Sequence, residues 1–253
     1  MSARRRLDAN LVRRGLAASR TEAQRLIGEG LVTVGGAPAD KPARLVDPGD
    51  ALKVRGPARR YVSRGGEKLE AALDHFGLDP AGCRVLDAGS STGGFTDCVL
   101  QRGATEVVAV DVGRGQLHEK LRADPRVLSR ERTHLRDVRA EHIGGPVDLV
   151  VGDLSFISLT KVTEPLLGAV RPAGDLVLLV KPQFEAGREE VARGRGVITD
   201  PEIWRRTIAE VCAAFEDSGA TMMGQMVSPI HGAEGNTEFL VWFRAADEPG
   251  GGS

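Results

Sequence analysis

The sequence predicts a doubly wound α/β domain preceded by a small α+β module, and three observations predict it. From residue 84 onward, short apolar runs of strand type alternate with segments of helical periodicity, the rhythm of βαβ units around a largely parallel sheet. A glycine-rich loop follows the first of those runs directly. The charge is divided as well: the first 68 residues carry 15 Lys and Arg against 7 Asp and Glu, the remainder 19 against 28. A basic piece joined to an acidic one implies that the first meets a polyanion or presents a solvated basic surface; charge alone does not separate the two.

Leu7, Leu11 and Val12 recur at helical spacing and Gly15 closes that helix. Ser19-Arg20-Thr21-Glu22 has the form of a capping box, in which Ser19 and Glu22 satisfy each other's free amides. Ala23, Leu26 and Ile27 continue an apolar stripe up to Gly30. Leu31–Val34 reads as a strand before the turn pair Gly35-Gly36, and Asp47-Pro48-Gly49-Asp50 as a turn before the strand Ala51–Val54. Residues 1–56 therefore form one unit, and the Pro- and Arg-containing stretch 57–63 a linker.

This unit resembles the S4 RNA-binding domain. The resemblance is carried by Arg4-Arg5-Arg6-Leu7-Asp8, Leu11-Val12, Ser19-Arg20, Ala23, Leu26-Ile27, Gly30 and Val32-Thr33-Val34-Gly35-Gly36. It implies an RNA face made of Arg4, Arg5, Arg20 and Arg25, and Arg64 at the head of the second domain is assigned to the same contact. Guanidinium groups suit that role because they grip phosphates as a fork.

The second domain spans 64–245. Leu69, Ala72, Leu73 and Phe76 give an amphipathic helix over Glu67–Phe76. Strands are expected at 84–87, 106–110, 126–130, 147–152, 176–180, 221–227 and 237–243, with a helix over Phe95–Arg102. The tail, 246–253, is expected to be disordered.

Asp87-Ala88-Gly89-Ser90-Ser91-Thr92-Gly93-Gly94-Phe95 follows the first strand and opens a helix. Glycines there let the backbone turn sharply and approach a ligand. The loop is not the dinucleotide GxGxxG; it resembles the acidic-x-Gly-x-x-x-Gly loop of class I S-adenosylmethionine-dependent methyltransferases, in which the strand-end carboxylate reaches the amino-acid part of the cofactor. Asp111, followed by Val112, stands at the next strand end, where a carboxylate holds a ribose diol, and this fits NAD as well as S-adenosylmethionine. His134 and Leu135, after the third strand, are candidates for an adenine pocket. The predicted cofactor contacts are thus Asp87, Gly89, Ser90, Ser91, Thr92, Gly93, Gly94, Phe95, Asp111, Val112, His134, Leu135 and Asp153.

Polar residues gather at the remaining strand ends: Asp153 after the fourth, Lys181 after the fifth and Glu238 at the last, with Lys68 on the preceding helix. With Val62-Ser63-Arg64-Gly65-Gly66-Glu67-Lys68-Leu69, the glycine loop, Gly152-Asp153-Leu154-Ser155-Phe156-Ile157-Ser158-Leu159, Lys181-Pro182-Gln183-Phe184-Glu185 and the stretch Ser228–Phe239, the chain resembles almost end to end the TlyA-type hemolysin A-like family, an S4 domain before an FtsJ/RrmJ-like methyltransferase fold. The resemblance implies a Lys-Asp-Lys-Glu tetrad at Lys68, Asp153, Lys181 and Glu238, and 2′-O-methylation of cytidine in 16S and 23S rRNA. His134 departs from the small polar adenine contact expected there, and Tyr61 from the usual linker aromatic.

The tetrad makes chemical sense. A ribose hydroxyl is a weak nucleophile, helped by a nearby base and a positive field. Lys181 follows the apolar run Leu176–Val180; burial favours its neutral amine, whereas Asp153 and Glu238 favour the ammonium. Base and alkoxide-stabilising cation both remain open. The charged, glycine-containing stretch 183–197 reads either as a mobile flap beside Lys181 or as an ordinary surface loop.

No apolar run approaches the roughly 20 residues that cross a bilayer, and no apolar stretch follows the basic N-terminus, so a cytoplasmic location is expected. Cys83, Cys98 and Cys212 form no CxxC pair, which predicts reduced thiols and no metal. Partners are rRNA or ribosomal subunits, with a monomer favoured. Two alternatives differ in class: a non-catalytic RNA-binding assembly factor, which needs no intact cofactor loop, and a membrane-active hemolysin, for which no spanning or long basic amphipathic segment exists in the sequence.

Overall fold

The computed structural model describes residues 4–17, 20–55, 60–232 and 234–247, in two compact units, Met1–Arg60 and Tyr61–Ser253.

The first unit runs β1 (Arg5–Arg6), α1 (Leu7–Arg13), α2 (Arg20–Gly28), β2 (Val32–Val34), β3 (Ala37–Pro38), β4 (Leu45–Val46) and β5 (Leu52–Val54). β3-β2-β5 form one antiparallel sheet and β1-β4 another. Leu7, Leu11, Ala23, Leu26 and Ile27 from the helices meet Val32, Val34 and Val46 in one core. Gly15 and Gly30, both at φ +68°, end the two helices as the sequence suggests. β1, β3 and β4 have two residues each, too few for an alternation to show in the sequence. Ser19 of the expected capping box lies outside the described residues, as do residues 57–59 of the expected linker and residues 248–253 of the expected tail.

Asp8 is fully buried at the centre of this unit. Its carboxylate accepts from Arg6 Nε at 3.0 Å, Arg20 Nη2 at 3.0 Å, Gln24 Nε2 at 3.1 Å and the Ala9 amide at 2.8 Å. These donors, Arg6 foremost, hold its pKa well below the usual carboxylate range against the opposing effect of burial.

The second unit is built from α3 (Gly65–Phe76), β6 (Arg84–Ala88), α4 (Gly94–Gln101), β7 (Glu106–Val110), α5 (Glu119–Arg122), β8 (Val127–Arg130), β9 (Val147–Gly152), α6 (Thr163–Ala169), β10 (Val170–Val180), α7 (Pro182–Glu185), α8 (Arg188–Arg193), α9 (Pro201–Asp217), β11 (Ala220–Val227) and β12 (Phe239–Ala245). Its seven-stranded sheet has the order β11-β12-β10-β9-β6-β7-β8. Neighbours from β10 through β8 pair in parallel, and β12 runs antiparallel to β10 and β11.

Successive strand residues point to opposite faces, and the apolar ones sort accordingly. Leu86, Val108, Val150, Leu178 and Val241 pack with Leu166 of α6 and Val211 and Phe215 of α9. Val85, Val107, Val151, Leu179 and Leu240 pack with Leu69 and Leu73 of α3 and Cys98 and Val99 of α4. Strands that bury both faces read as unbroken apolar runs, which is why they are visible in the sequence.

Three expectations need correction. Tyr61–Ser63 do not belong to a linker: Tyr61 is buried in the core with Leu69, Ala72 and Leu73, its ring so close to Gly66 that a Cβ there would stand 2.3 Å from Tyr61 Cγ. The Val62 amide donates to buried Asp97 at 2.9 Å. β10 begins six residues before the expected Leu176, with an irregular register between Val170 and Asp175 that hides its first half from a periodicity argument. Finally, α9 stands where no helix was assigned; Asp200 caps it by accepting from the Glu202 amide at 2.9 Å, and Pro201 occupies its first turn. That Asp-Pro start was the available signal.

Candidate functional site

The strand ends of β6, β7, β9 and β10 share one sheet edge, where ligands bind in open α/β folds. After β6 the chain turns at Gly89, φ +81°, where a Cβ would meet the Asp153 carbonyl oxygen at 2.8 Å. The glycine thus brings the β6 loop against the β9 loop. Ser91 follows at φ +46°, and Gly93 at φ +93° precedes α4; a Cβ on Gly93 would run into Leu121 and Leu117.

Asp87 is completely buried. Its Oδ2 accepts from the Thr96 amide at 2.9 Å and from Thr96 Oγ1 at 2.5 Å, fastening the first turn of α4. Its Oδ1 has no hydrogen-bond partner among the described residues. Burial pushes its pKa up to about 7, opposed by the Thr96 hydrogen bonds and reinforced by Asp153 and Asp111. Asp111 accepts from the Ser91 amide at 2.8 Å and the Gly113 amide at 2.6 Å, which ties the first and second strand ends together.

Beside this loop lies a cavity of about 1300 Å³. Of the predicted cofactor contacts, Gly89, Ser91, Asp111, Val112, His134, Leu135 and Asp153 line it, and Asp87, Ser90, Thr92, Gly93, Gly94 and Phe95 do not. Phe95, 3% exposed, packs into the core instead, and Gly93 and Gly94 are spacers for packing: a Cβ at Gly94 would lie 2.2 Å from Ser63 Oγ. The carboxylate of Asp111 and the buried, half-unpartnered carboxylate of Asp87 suit a ligand carrying a diol and an amino-acid group; each Asp111 oxygen keeps a second lone pair for a hydroxyl.

The four tetrad residues form two ion pairs. Lys181 Nζ lies 2.6 Å from Asp153 Oδ1, outside hydrogen-bond geometry, and donates to Ser155 Oγ at 3.0 Å. Lys68 Nζ donates to Glu238 Oε2, the two side chains 9% and 3% exposed. The register ends with Val180 opposite Phe239, one residue short of Lys181 and Glu238, which lie just past β10 and just before β12. No hydrogen bond or ion pair joins the two pairs among the described residues. Glu238 immediately precedes β12 rather than standing within it.

Lys181 reaches the cavity through its neighbours. Asp153, Ser155 and Phe184 all line the wall, and Nζ stands 5.7 Å from the Phe184 ring centroid. Phe156, in the same loop, is 91% exposed at φ +66°, its ring 5.2 Å from that of Phe184. Arg136, Lys161, Arg188 and Arg195 line the same cavity. Sequence reasoning missed Ser155, Phe156 and these four cations; the exposed aromatic inside the Asp153–Ser158 stretch was the signal nearest to hand.

The stretch after Lys181 folds into α7 and α8 and is fastened at several points. Glu185 accepts from Ser158 Oγ at 2.5 Å and the Leu159 amide at 3.0 Å, its pKa raised chiefly by burial. Asn236, 1% exposed, accepts from the Ile198 amide and donates to the Gly196 carbonyl, both at 2.9 Å.

In the first unit, the predicted RNA-contacting arginines are exposed but engaged: Arg4 pairs with Asp47, Arg20 with Asp8 and Arg25 with Glu29. Arg5 and Arg64 are exposed as well, and neither has an ion-pair partner among the described residues. Among the described residues no cluster of three or more His, Cys, Asp or Glu could hold a metal, Cys83, Cys98 and Cys212 form no disulfide, and no helix is long and apolar enough to cross a membrane.

The FtsJ-like methyltransferase family matches residues 61–245 and the S4 domain residues 5–52. The 16S/23S rRNA (cytidine-2′-O)-methyltransferase TlyA of Mycobacterium tuberculosis is 50% identical over 245 residues, covering 96% of this chain and 91% of that protein. Hemolysin A of Brachyspira hyodysenteriae is 39% identical, covering 94% and 99%. A solved structure from Streptococcus thermophilus, named as a hemolysin, superposes with TM-score 0.79 at 41% identity over 97% of this chain and 90% of its own.

Proposed function

The chain belongs to the FtsJ-like methyltransferase family and carries an S4 domain, and from that premise we propose that it is an S-adenosylmethionine-dependent rRNA methyltransferase of the cytoplasm acting on the 2′-hydroxyl of cytidine. The TlyA protein it resembles over most of both chains acts on 16S and 23S rRNA. The observation that carries the reading is that three neighbours of Lys181, namely Asp153, Ser155 and Phe184, line the same cavity as Gly89 and Asp111.

When bound, S-adenosylmethionine supplies a sulfonium-borne methyl group open to displacement by an oxygen nucleophile. Asp111 and Val112 would hold the ribose, His134 and Leu135 the adenine, and Gly89, Ser91 and the Asp87 carboxylate the amino-acid end. Lys181 would meet the attacking hydroxyl, either taking its proton as the free amine or stabilising the developing alkoxide as the ammonium. Asp153 holds Lys181 by charge, and the buried Lys68–Glu238 pair would support the site from behind.

The remaining wall suits a nucleotide. Arg136, Lys161, Arg188 and Arg195 offer cations to the phosphates on either side of the target, and the exposed ring of Phe156 offers a face for a base. Arg4, Arg5, Arg20 and Arg25 of the S4 domain, with Arg64, would contact RNA backbone. A non-catalytic RNA-binding role would need neither the buried Lys68–Glu238 pair nor the polar cluster around Lys181.

Mass spectrometry of rRNA fragments from both subunits, after incubation with the protein and S-adenosylmethionine, tests the proposal. Methylated cytidine is expected, and Lys181→Ala is expected to abolish it with cofactor affinity largely kept. Unmodified rRNA from the unaltered protein would overturn the assignment.

A further inference from the structure

We infer that Ser155 is a positioning residue for methyl transfer: its hydroxyl fixes the direction in which Lys181 meets the substrate oxygen. This deepens the proposed function and rests on the role given there to Lys181.

Lys181 Nζ has two polar neighbours of different kinds. Asp153 Oδ1 at 2.6 Å is an ion pair outside hydrogen-bond geometry, and charge attraction sets a distance but little direction. Ser155 Oγ at 3.0 Å receives a hydrogen bond within normal geometry, and such bonds weaken steeply off-line. An Nζ held by Asp153 alone could rotate about its bond to Cε. With one N–H aimed at Ser155, its remaining positions are fixed in space, and one is left for the hydroxyl that attacks.

The placement of Ser155 agrees. Lys181 is 9% exposed, whereas Ser155 is exposed and lines the cavity. The hydroxyl therefore stands where the buried Nζ meets open space. Leu154, 5% exposed and in the core, anchors the loop between Asp153 and Ser155, so both partners of Lys181 are held by one buried side chain. The arrangement serves Lys181 whether it acts as amine or as ammonium, because both need a fixed direction.

The test uses the full chain, an rRNA fragment and isotopically labelled S-adenosylmethionine, comparing Ser155→Ala, Ser155→Thr and Lys181→Ala. Ser155→Ala is expected to slow the saturated rate about 10- to 100-fold, the scale of a misplaced catalytic group, with cofactor Kd and RNA KM unchanged. Losing an acceptor disfavours the ammonium, so the inflection of the rate against pH moves to lower pH in Ser155→Ala and returns in Ser155→Thr. A wild-type rate in Ser155→Ala beside an inactive Lys181→Ala overturns the role of Ser155 alone. A slow Ser155→Ala with an unmoved pH profile, or one that threonine does not rescue, overturns it too. An active Lys181→Ala removes the reading on which it rests.

Discussion

Lys68 and Glu238 are 170 residues apart in the chain and bonded to each other in the structure. Their pair joins α3, at the head of the large unit, to the residue before its last strand. With side chains 9% and 3% exposed, it has little water to fall back on if one partner is lost.

Lys68→Met alone is therefore expected to destabilise the protein by about 3–5 kcal/mol, because it leaves Glu238 buried and unpaired. The double variant Lys68→Met with Glu238→Met recovers most of that loss, since an apolar pair tolerates burial, but does not recover methyl transfer. Urea unfolding and methylation assays on the single and double variants separate the two effects. Equal stability losses in single and double variants would show that the pair is not coupled.

Asp87 gives a pH signature. Its pKa is raised to about 7 in the fold, against about 3.9 in an unfolded chain. Between those values the native state keeps a proton that the unfolded state has lost, so stability falls as pH rises through that window and levels off above it. Asp87→Asn lacks this loss. Its thermal stability relative to the parent is expected to climb from about pH 4 to about pH 7 and then stay level, which a series of melting curves reads directly. A flat difference would mean that Asp87 ionises normally.

Gly89→Ala meets two obstacles, a left-handed backbone and a Cβ 2.8 Å from the Asp153 carbonyl oxygen. The conformation alone costs about 1–2 kcal/mol, and the clash parts the β6 and β9 loops that bound the cavity. Calorimetry is expected to show S-adenosylmethionine binding lost or weakened at least tenfold, the factor that about 1.4 kcal/mol represents. Parent-like affinity would mean that the loop approach does not govern the cofactor.

Asn236→Ala removes both links to Gly196 and Ile198. Trypsin is expected to cut faster at Arg193 and Arg195 in this variant, with the rest of the chain as resistant as before. An unchanged digestion pattern would show that Glu185 and the Arg206–Glu190 pair hold the segment without Asn236.

Much of this was legible in the sequence, and the reasons are local. Val85-Leu86, Val107-Val108 and Leu178-Leu179 bury both faces of a sheet and so stand out as apolar runs. Lys181, Asp111 and Asp153 follow such runs and inherit a place at the sheet edge. What escaped depends on partners distant in sequence. Nothing around Ser155 announces that Lys181 lies 3.0 Å away, and nothing around Asp8 announces that it gathers Arg6, Arg20 and Gln24. Tyr61 was assigned to a linker by the prolines and arginines before it, yet its ring sits against Gly66 in the core. Asp87 was assigned to the cofactor, and half of its carboxylate serves Thr96 instead.

The pairing of Glu238 with Lys68 also sets a timetable for synthesis. The glycine loop, Asp111, Asp153 and Lys181 are all translated before residue 238, and none of them can supply the missing carboxylate. At about 5–20 residues per second, a growing chain spends several seconds between making Lys181 and making Glu238. Throughout that interval Lys68 has no counter-charge from β12, and the half-built pocket has no closing strand beside β10. A chain that has not yet reached residue 238 therefore cannot close the Lys68–Glu238 pair, and with the role proposed for that pair it would not yet transfer a methyl group.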